Sequence, residues 1–189
     1  EKKNSNLFAF ENYISKKLNK KFNRNYKNLL NWSIKNSAEF WSKFWDFSEI
    51  KGVKSKKKIR KSKIFYKNLF LPGSKLNFGE NLLSKNNQEK AVTFISENGF
   101  REERSWRQLN LNTSKILKFF KKINIKKGDR VAAYMPNTIE TVEAFIATTS
   151  LGVIWSSCSP DFGSKGVIER FSQINPKVLF ITDQYFYNG

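Results

Sequence analysis

The spacing of apolar residues is most regular in the last third of the chain. Apolar runs of strand length occur at 130–135, 153–158 and 177–182, and helical patterns separate them at 137–151 and 164–174. This β-α-β-α-β order predicts a parallel sheet with right-handed crossovers. Because the runs are almost continuous in apolar residues, we expect the strands to be covered on both faces.

Capping and turn residues indicate where these elements begin and end. Asn137, with Glu140 three positions later, resembles a capping box at the start of the first helix, and Gly152 closes that helix. Asn175-Pro176 ends the second helix. Asp161 precedes the second helix, where it could cap the helix N-terminus or form part of a binding loop.

Upstream of the sheet, the pattern predicts a β-hairpin followed by a helix. Residues 91–96 read as a strand, 97–99 as a turn around Asn-Gly, and 101–106 as the return strand. An amphipathic helix is expected over 109–123. Its predicted apolar face consists of Leu109, Ile116, Phe119, Phe120 and Ile123.

The first ninety residues are polar and mainly helical in pattern. One stripe with helical spacing consists of Leu7, Phe10, Ile14 and Leu18. A second helix is expected over 37–47, with Ser37 as its cap. Its apolar face, predicted to pack in a core, contains Phe40, Trp41, Phe44 and Trp45. We therefore predict a basic, largely helical leader segment at 1–90 and the start of an α/β domain at 91–189.

The charge of the chain is concentrated in this leader. The 189 residues carry 35 Lys/Arg and 16 Asp/Glu, a net charge of +19, and 22 of the basic residues lie in the first ninety. The excess is greatest at 54–63. One interpretation is a phosphate-binding stripe for nucleic acid, supported by nearby aromatic residues. We favour a solvated loop, because arginine is scarce and the Lys, Asn, Ile and Phe bias extends over the whole leader.

Composition excludes several kinds of chemistry. With no histidine, the chain cannot supply a Ser-His-Asp triad or a His-ligated metal site. The single cysteine, Cys158, cannot form an internal disulfide, and this fits a reducing compartment, so a cytoplasmic location is expected. No apolar run reaches the roughly 20 residues of a membrane span. No Walker loop and no Gly-x-Gly-x-x-Gly motif occur.

Binding residues are expected where the predicted strands end. In open α/β sheets, ligands bind beyond the carboxyl ends of the strands. Those ends fall at 135–137, 158–162 and 182–189, and the second contains the most polar groups. The serines and the carboxylate of Asp161 lie there.

Specific stretches of the chain resemble a known family. Residues 128–137 read GDRVAAYMPN, residues 150–163 read SLGVIWSSCSPDFG, and 104–109 read RSWRQL. Together with 44–47 and 71–83 they resemble the N-terminal part of the acyl-CoA synthetases of the adenylate-forming superfamily, particularly the acetoacetate-using ones. The resemblance extends roughly from residue 37 to residue 189. It implies the first part of the large adenylate-forming α/β domain.

The resemblance implies an acid–thiol ligase. Such enzymes use ATP and Mg²⁺ to convert the carboxylate of acetoacetate into an acyl-adenylate, release diphosphate, and pass the acyl group to CoA. The family's phosphate loop and C-terminal catalytic lysine have no counterpart in these 189 residues. We therefore expect an N-terminal portion that is inactive alone and works with the remainder of the same polypeptide.

Two loops are candidates for contacts with CoA. By resemblance, Tyr187-Asn188-Gly189 takes the place of an Arg-Ala-Gly-Arg loop of acetate-using relatives, and Ser159-Pro160-Asp161 takes the place of a Phe-Gly-Gly loop. Neither triplet keeps those residues, so the alternative is an ordinary exit from a strand. No catalytic or metal-binding residue is expected within the chain.

Two other functions are compatible with the sequence. The chain could be a basic nucleic-acid-binding module, or a non-catalytic split subunit that pairs with the rest of a ligase. It starts at Glu1 rather than Met and stops soon after a strand-like segment, so we expect a piece of a longer protein. An uncovered strand edge would make such a piece marginally stable and prone to self-association.

Overall fold

The structure is a computed structural model, and it describes residues 5–188. The chain divides into two compact units, Glu1–Leu76 and Asn77–Gly189. The predicted boundary at 90/91 falls within the second unit. There, the short helix α4 (Phe78–Leu82) packs on the later helix α6 (Ile139–Ser150).

Three helices form the core of the first unit. They are α1 (Asn6–Leu18), α2 (Tyr26–Lys35) and α3 (Ser37–Phe47). Phe10 of the predicted stripe is buried and meets Phe40 edge to face, with ring centroids 5.6 Å apart. The buried cluster consists of Phe10, Ile14, Phe22, Leu29 and Trp32. The leader is therefore held together by aromatic packing between helices. Trp41 and Phe44 were wrongly assigned to the core, since they are 41% and 37% exposed.

The leader also contains two short antiparallel pairs of strands. β1 (Gly52–Val53) pairs with β4 (Lys75–Leu76), and β2 (Ile59–Arg60) pairs with β3 (Leu69–Phe70). A 3-10 turn at Phe65–Lys67 lies between β2 and β3. Two-residue strands are too short to give a clear period-two pattern in the sequence.

The second unit begins with a hairpin and a helix after α4. β5 (Lys90–Ile95) pairs with β6 (Arg101–Ser105), and α5 runs over Trp106–Lys122. Gly99 in the turn has φ +80°, which favours glycine. The predicted hairpin is confirmed.

The helix α5 starts three residues before the predicted position. Ser105 accepts a hydrogen bond from the Gln108 backbone N–H at 3.2 Å, and the Gln108 side chain accepts one from the Ser105 N–H at 2.8 Å. This capping box makes Trp106 the first helical residue rather than the last strand residue. Phe119 and Ile123 were wrongly assigned to the buried face, since they are 48% and 42% exposed.

The last part of the chain has the predicted β-α-β-α-β order. Its strands and helices are β7 (Arg130–Tyr134), α6 (Ile139–Ser150), β8 (Ile154–Cys158), α7 (Ser164–Ser172) and β9 (Val178–Ile181). The three strands are parallel, in the order β8-β7-β9. The predicted fold class is thus confirmed.

Only the central strand among these three is buried on both faces. Val131, Ala132 and Ala133 of β7 are fully buried. The outer strands are only partly covered, and Ile154 of β8 and Ile181 of β9 are 54% and 65% exposed. The expectation that all three strands are covered on both faces is wrong for the outer strands, because Leu179 and Ile181, which share one face of β9, are both exposed.

Two predicted helix caps are wrong, and a third is correct. Asn36, not Ser37, precedes α3, and it makes no capping bond with its side chain. Thr138, not Asn137, precedes α6, and Glu140 approaches Arg104 at 3.3 Å instead of folding back. Gly152 does close α6, with φ +67°.

Candidate site at the carboxyl edge of the parallel sheet

The three parallel strands of the second unit end level with one another. Tyr134 of β7 is in register with Cys158 of β8 and with Ile181 of β9. The loops that follow these strands therefore leave the sheet side by side. This is the edge at which open α/β sheets bind ligands.

Tyr134 fixes the loop that follows β8. Its hydroxyl lies 2.7 Å from the carbonyl oxygens of both Pro160 and Phe162. Since these acceptors belong to the main chain, Tyr134 sets the path of the loop and not the orientation of its side chains.

Asp161 connects the loops that follow β8 and β9. Its Oδ2 accepts a hydrogen bond from the Ser159 hydroxyl at 2.8 Å, and its Oδ1 accepts one from the Tyr185 hydroxyl at 3.1 Å. Asp161 does not cap α7, because the N-cap position is occupied by Gly163, where no side-chain capping bond is made. Burial, followed by the hydrogen bond to Asp161, raises the pKa of the Tyr185 phenol.

Two adjoining cavities lie along this edge. We call the first the edge cavity; it has a volume of about 350 Å³. It is lined by Glu97, Met135, Pro136, Asn137, Thr141, Ser157, Cys158, Ser159, Pro160, Asp161, Tyr185, Phe186 and Tyr187. The second, the hairpin cavity, has a volume of about 480 Å³ and lies between the β5–β6 turn and the loop after β9. Phe94, Phe100 and Phe186 contribute to its mainly apolar lining.

The charged residues that line the two cavities restrict which ligands can bind there. The edge cavity is lined by the carboxylates of Glu97 and Asp161, and neither cavity lining contains a lysine or arginine among residues 5–188. A phosphate group would meet like charge there without a compensating cation. The cavities are therefore better suited to an uncharged amide or an apolar chain.

The structure brings the two predicted loops together. Ser159, Pro160 and Asp161 line the edge cavity, and so does Tyr187. Asn188 lines a neighbouring, wider cavity of about 710 Å³ together with Tyr187. Gly189, the last of the predicted site residues, lies outside the described residues.

Sequence reasoning missed three residues of this edge. In the sequence, Tyr134 lies in a predicted strand, Tyr185 lies in the segment after another, and Glu97 lies in a predicted turn. The signal that could have found Tyr185 is the aromatic run at 185–187, directly after a predicted strand. No pattern in the sequence indicates that Tyr134 contacts a loop 26 residues away.

The motif at 104–109 has a structural role within the second unit. Arg104 is hydrogen-bonded to Glu102, and its guanidinium lies 3.3 Å from Glu140 and 3.5 Å from Glu143 of α6. Glu143 is buried and also accepts a hydrogen bond from Asn112 of α5 at 2.8 Å. The motif therefore ties the hairpin, α5 and α6 together beside the edge.

With this geometry in view, the comparisons with known proteins identify the class of the chain. Residues 82–188 match the model of the family described as AMP-binding enzyme. The matched segment includes the hairpin, the parallel sheet and the loops of the candidate site. The chain belongs to the AMP-binding enzyme family.

Two relatives indicate which members of this family the chain is most usefully compared with. The acetoacetyl-CoA synthetase of Xenopus tropicalis is 38% identical over 192 residues, covering 100% of this chain and 28% of that protein. The malonamoyl-CoA synthetase of Penicillium aethiopicum is 31% identical, covering 99% of this chain and 27% of that protein. The chain thus spans little more than a quarter of the length of these relatives.

A solved structure gives the same fold. Acetoacetyl-CoA synthetase from Streptomyces lividans superposes with a TM-score of 0.89 at 24% identity, covering 98% of this chain and 29% of that one. The leader and the start of the α/β domain thus have the fold that the resemblance implied.

Two kinds of feature are absent from residues 5–188. None of the helices in this part of the chain combines the length and the apolar character that a membrane crossing requires. No group of three or more His, Cys, Asp or Glu is placed to hold a metal ion within the same residues.

Proposed function

We propose that the protein containing this chain is an acetoacetate–CoA ligase that forms AMP. It would join acetoacetate to CoA and convert ATP to AMP and diphosphate. The observation that carries the proposal is the 38% identity to an acetoacetyl-CoA synthetase across this whole chain. The family match at 82–188 and the fold support it.

The reaction has two balanced steps. A carboxylate oxygen of acetoacetate attacks the α-phosphorus of ATP, and diphosphate leaves with the electrons of the broken P–O bond. The thiolate of CoA then attacks the acyl carbon, and AMP leaves. Mg²⁺, which we propose accompanies ATP, would offset charge on its phosphate oxygens.

We propose that residues 1–189 supply the scaffold and the CoA side of the site, and that they are inactive alone. The family's phosphate loop and catalytic lysine have no counterpart in this sequence. This makes the remainder of the polypeptide the required partner. A reducing, cytoplasmic setting is proposed from the free Cys158.

Within this proposal, the edge cavity holds the uncharged arm of CoA rather than its phosphates. Its lining contains Asp161 and no cation among the described residues, whereas Pro160 and Tyr187 offer apolar surface. The proposed contacts come from the loops Ser159-Pro160-Asp161 and Tyr187-Asn188-Gly189. The hydroxyl of Ser159 could donate to an amide oxygen of that arm when it turns away from Asp161.

The proposed activity is tested with the full-length protein. Continuous diphosphate release should require ATP, acetoacetate and CoA together, because without CoA the acyl-adenylate stays in the site after one turnover. Acetate or malonamate in place of acetoacetate should give a lower kcat/KM. A higher kcat/KM with malonamate would assign the activity of the Penicillium relative instead. Absence of release with any of these acids would overturn the ligase proposal.

The CoA side is tested by a KM comparison. Tyr187→Ala should raise the KM for CoA by about fivefold or more, since it removes aromatic contact area, with the KM values for ATP and acetoacetate unchanged. Ile168→Ala, which alters a side chain 66% exposed on α7, is the control. An unchanged KM for CoA in Tyr187→Ala would remove the assignment but leave the ligase proposal standing.

The basic leader does not change this conclusion. A nucleic-acid-binding module would leave the match at 82–188 and the similarity to ligases unexplained. A split subunit is distinguished by co-purification with a separate C-terminal chain.

A further inference from the structure

A short hairpin in the first unit projects an ordered tip. β2 and β3 form its base, and residues 61–68 connect them. Asn68 fixes the connection, because its Oδ1 accepts from the Ser62 N–H at 2.9 Å and its Nδ2 donates to the Phe65 carbonyl at 2.8 Å. The 3-10 turn adds a backbone bond from the Lys67 N–H to the Ile64 carbonyl at 3.0 Å. We call residues 59–70 the basic hairpin.

The tip of the basic hairpin consists of apolar and aromatic side chains. Phe65 is 90% exposed, Tyr66 is 79% exposed and Ile64 is 43% exposed. Phe65 is the most exposed large hydrophobic residue among residues 5–188. Leaving these side chains in water is unfavourable, so an apolar surface that covered them would be stabilising.

Cations surround this tip, and no acidic residue interrupts them. Residues 54–70 contain seven lysines and one arginine and no Asp or Glu. In the described part of the chain, Lys54 pairs with Asp46 at 2.7 Å and Lys58 lies 3.7 Å from Glu39. The cations without an ion pair there are Lys56, Lys57, Arg60, Lys61, Lys63 and Lys67. Three of them, Lys61, Lys63 and Lys67, are in the tip itself.

We propose that the basic hairpin docks the protein on the surface of an anionic lipid membrane. Ile64, Phe65 and Tyr66 would enter the boundary between headgroups and acyl chains. The flanking lysines would keep their ammonium groups among the lipid phosphates, since their long apolar stems let the charge reach outward. This is peripheral binding by a tip and requires no membrane-spanning element.

The geometry favours a membrane over a nucleic acid. A single strand is bound in a groove whose cations follow its backbone and whose aromatic rings form a platform. Here Phe65 and Tyr66 lie in one 3-10 turn between two strands, at a tip. Ile64 has no π-face for stacking on a base, whereas it suits an acyl chain.

The test is sedimentation of the full-length protein with lipid vesicles. Vesicles with one part phosphatidylserine to three parts phosphatidylcholine should pellet the protein, and phosphatidylcholine alone should pellet much less. Raising NaCl from 0.1 M to 0.5 M should release most of the bound protein, since salt screens surface charge. The double variant Phe65→Ser, Tyr66→Ser should lower the partition coefficient by at least about tenfold.

Matched controls separate the tip from general charge. Lys61→Gln, Lys63→Gln, Lys67→Gln should weaken binding by roughly fivefold per lysine. Lys20→Gln, Lys21→Gln, Lys35→Gln removes the same charge elsewhere in the first unit, and Ile34→Ser removes an apolar side chain that is 66% exposed. Both controls should bind much more tightly than their tip counterparts.

Three outcomes would overturn the proposal. One is equal pelleting with neutral and anionic vesicles. Another is equal weakening by the tip variants and their controls. The third is a single-stranded oligonucleotide that binds more tightly than the vesicles and loses affinity in the Phe65→Ser, Tyr66→Ser variant.

Discussion

The Tyr185 hydroxyl donates a hydrogen bond to the Asp161 carboxylate at 3.1 Å, and this bond joins loops that leave two different strands. Asp161 follows β8, and Tyr185 follows β9. The two strands are not neighbours, because β7 lies between them. The bond therefore connects two sides of the lining of the edge cavity across the three-stranded sheet.

We expect Tyr185 to titrate above the ordinary tyrosine value of 10.0, because burial and the bond to Asp161 both favour the neutral phenol. A raised pKa in the folded state means that the stabilisation is present below pH 10 and is lost as pH rises through the folded pKa. NMR of ring-labelled tyrosine, assigned with Tyr185→Phe, measures this pKa.

The substitution Asp161→Asn tests how much the carboxylate contributes to the raised pKa of Tyr185. Removing the carboxylate should lower the pKa of Tyr185, but not to 10.0, since burial is the larger contribution. A Tyr185 pKa at or below 10.0 in the unmodified protein would contradict the described contacts.

Glu143 is expected to make stability depend on pH. Burial raises the pKa of this carboxyl, and the bond from Asn112 and the charge of Arg104 offset that only in part. A raised pKa means that the stabilisation is complete below the unfolded value of about 4.5 and is lost as pH rises through the folded pKa. Glu143→Gln should thus gain stability relative to the unmodified protein between pH 4 and pH 7, measured by urea unfolding.

Glu140→Gln is the matched control for that experiment. Glu140 also faces Arg104, but its side chain is 52% exposed, against 6% for Glu143. Its substitution should give a smaller pH dependence. If Glu143→Gln instead becomes less stable than the unmodified protein as the pH rises to 7, the folded state favours the ionised carboxylate. The pKa of Glu143 would then be lowered and not raised.

Phe119 and Phe120 offer a comparison between adjacent residues. Phe120 is fully buried, and its ring centroid lies 6.1 Å from that of Phe180, whereas Phe119 is 48% exposed. Phe120→Ala should lower the free energy of unfolding by about 3–5 kcal/mol, because it leaves a cavity under β7 and β9. Phe119→Ala should cost less than about 1.5 kcal/mol. Chemical denaturation measures both, and equal losses would refute the assigned burial.

Gly79 and Gly166 should respond to alanine in opposite directions. A Cβ at Gly79 would lie 2.1 Å from the Ser150 Oγ and 2.9 Å from the Ile146 carbonyl oxygen, so α4 or α6 would have to move. We expect a loss of about 1–3 kcal/mol. Gly166 lies inside α7 with no atom within 4 Å of its Cβ position, so Gly166→Ala should stabilise by up to about 1 kcal/mol. Thermal unfolding of both variants checks the signs.

The elements with strong periodicity were predictable from the sequence. β7 and α6 lie within about two residues of their expected bounds, because a buried strand and an amphipathic helix leave their periods in the order of residues. The pattern could not show that Phe119 is exposed. Phe119 and Phe120 are adjacent in α5, and the sequence places both near its apolar stripe. In the structure, the helix turns Phe119 towards solvent and Phe120 towards the core.

The sequence predicted where the candidate site lies, but not which side chains contact each other there. The rule on strand ends located Asp161 and Tyr187 at the same edge. It could not give the partner of Asp161, since the hydroxyl of Tyr185 is 24 residues away along the chain. The roles of the predicted CoA loops stay predictions, and the KM comparison decides them.

The contact between Tyr134 and the loop after β8 has a consequence for sequence divergence. Its hydroxyl reaches main-chain oxygens of Pro160 and Phe162, which every amino acid would present in the same way. Side chains at 159–162 can therefore be exchanged during evolution while the loop retains its route. A graft of the corresponding loop from another member of the AMP-binding enzyme family should be accepted for the same reason, provided that position 134 keeps its phenol.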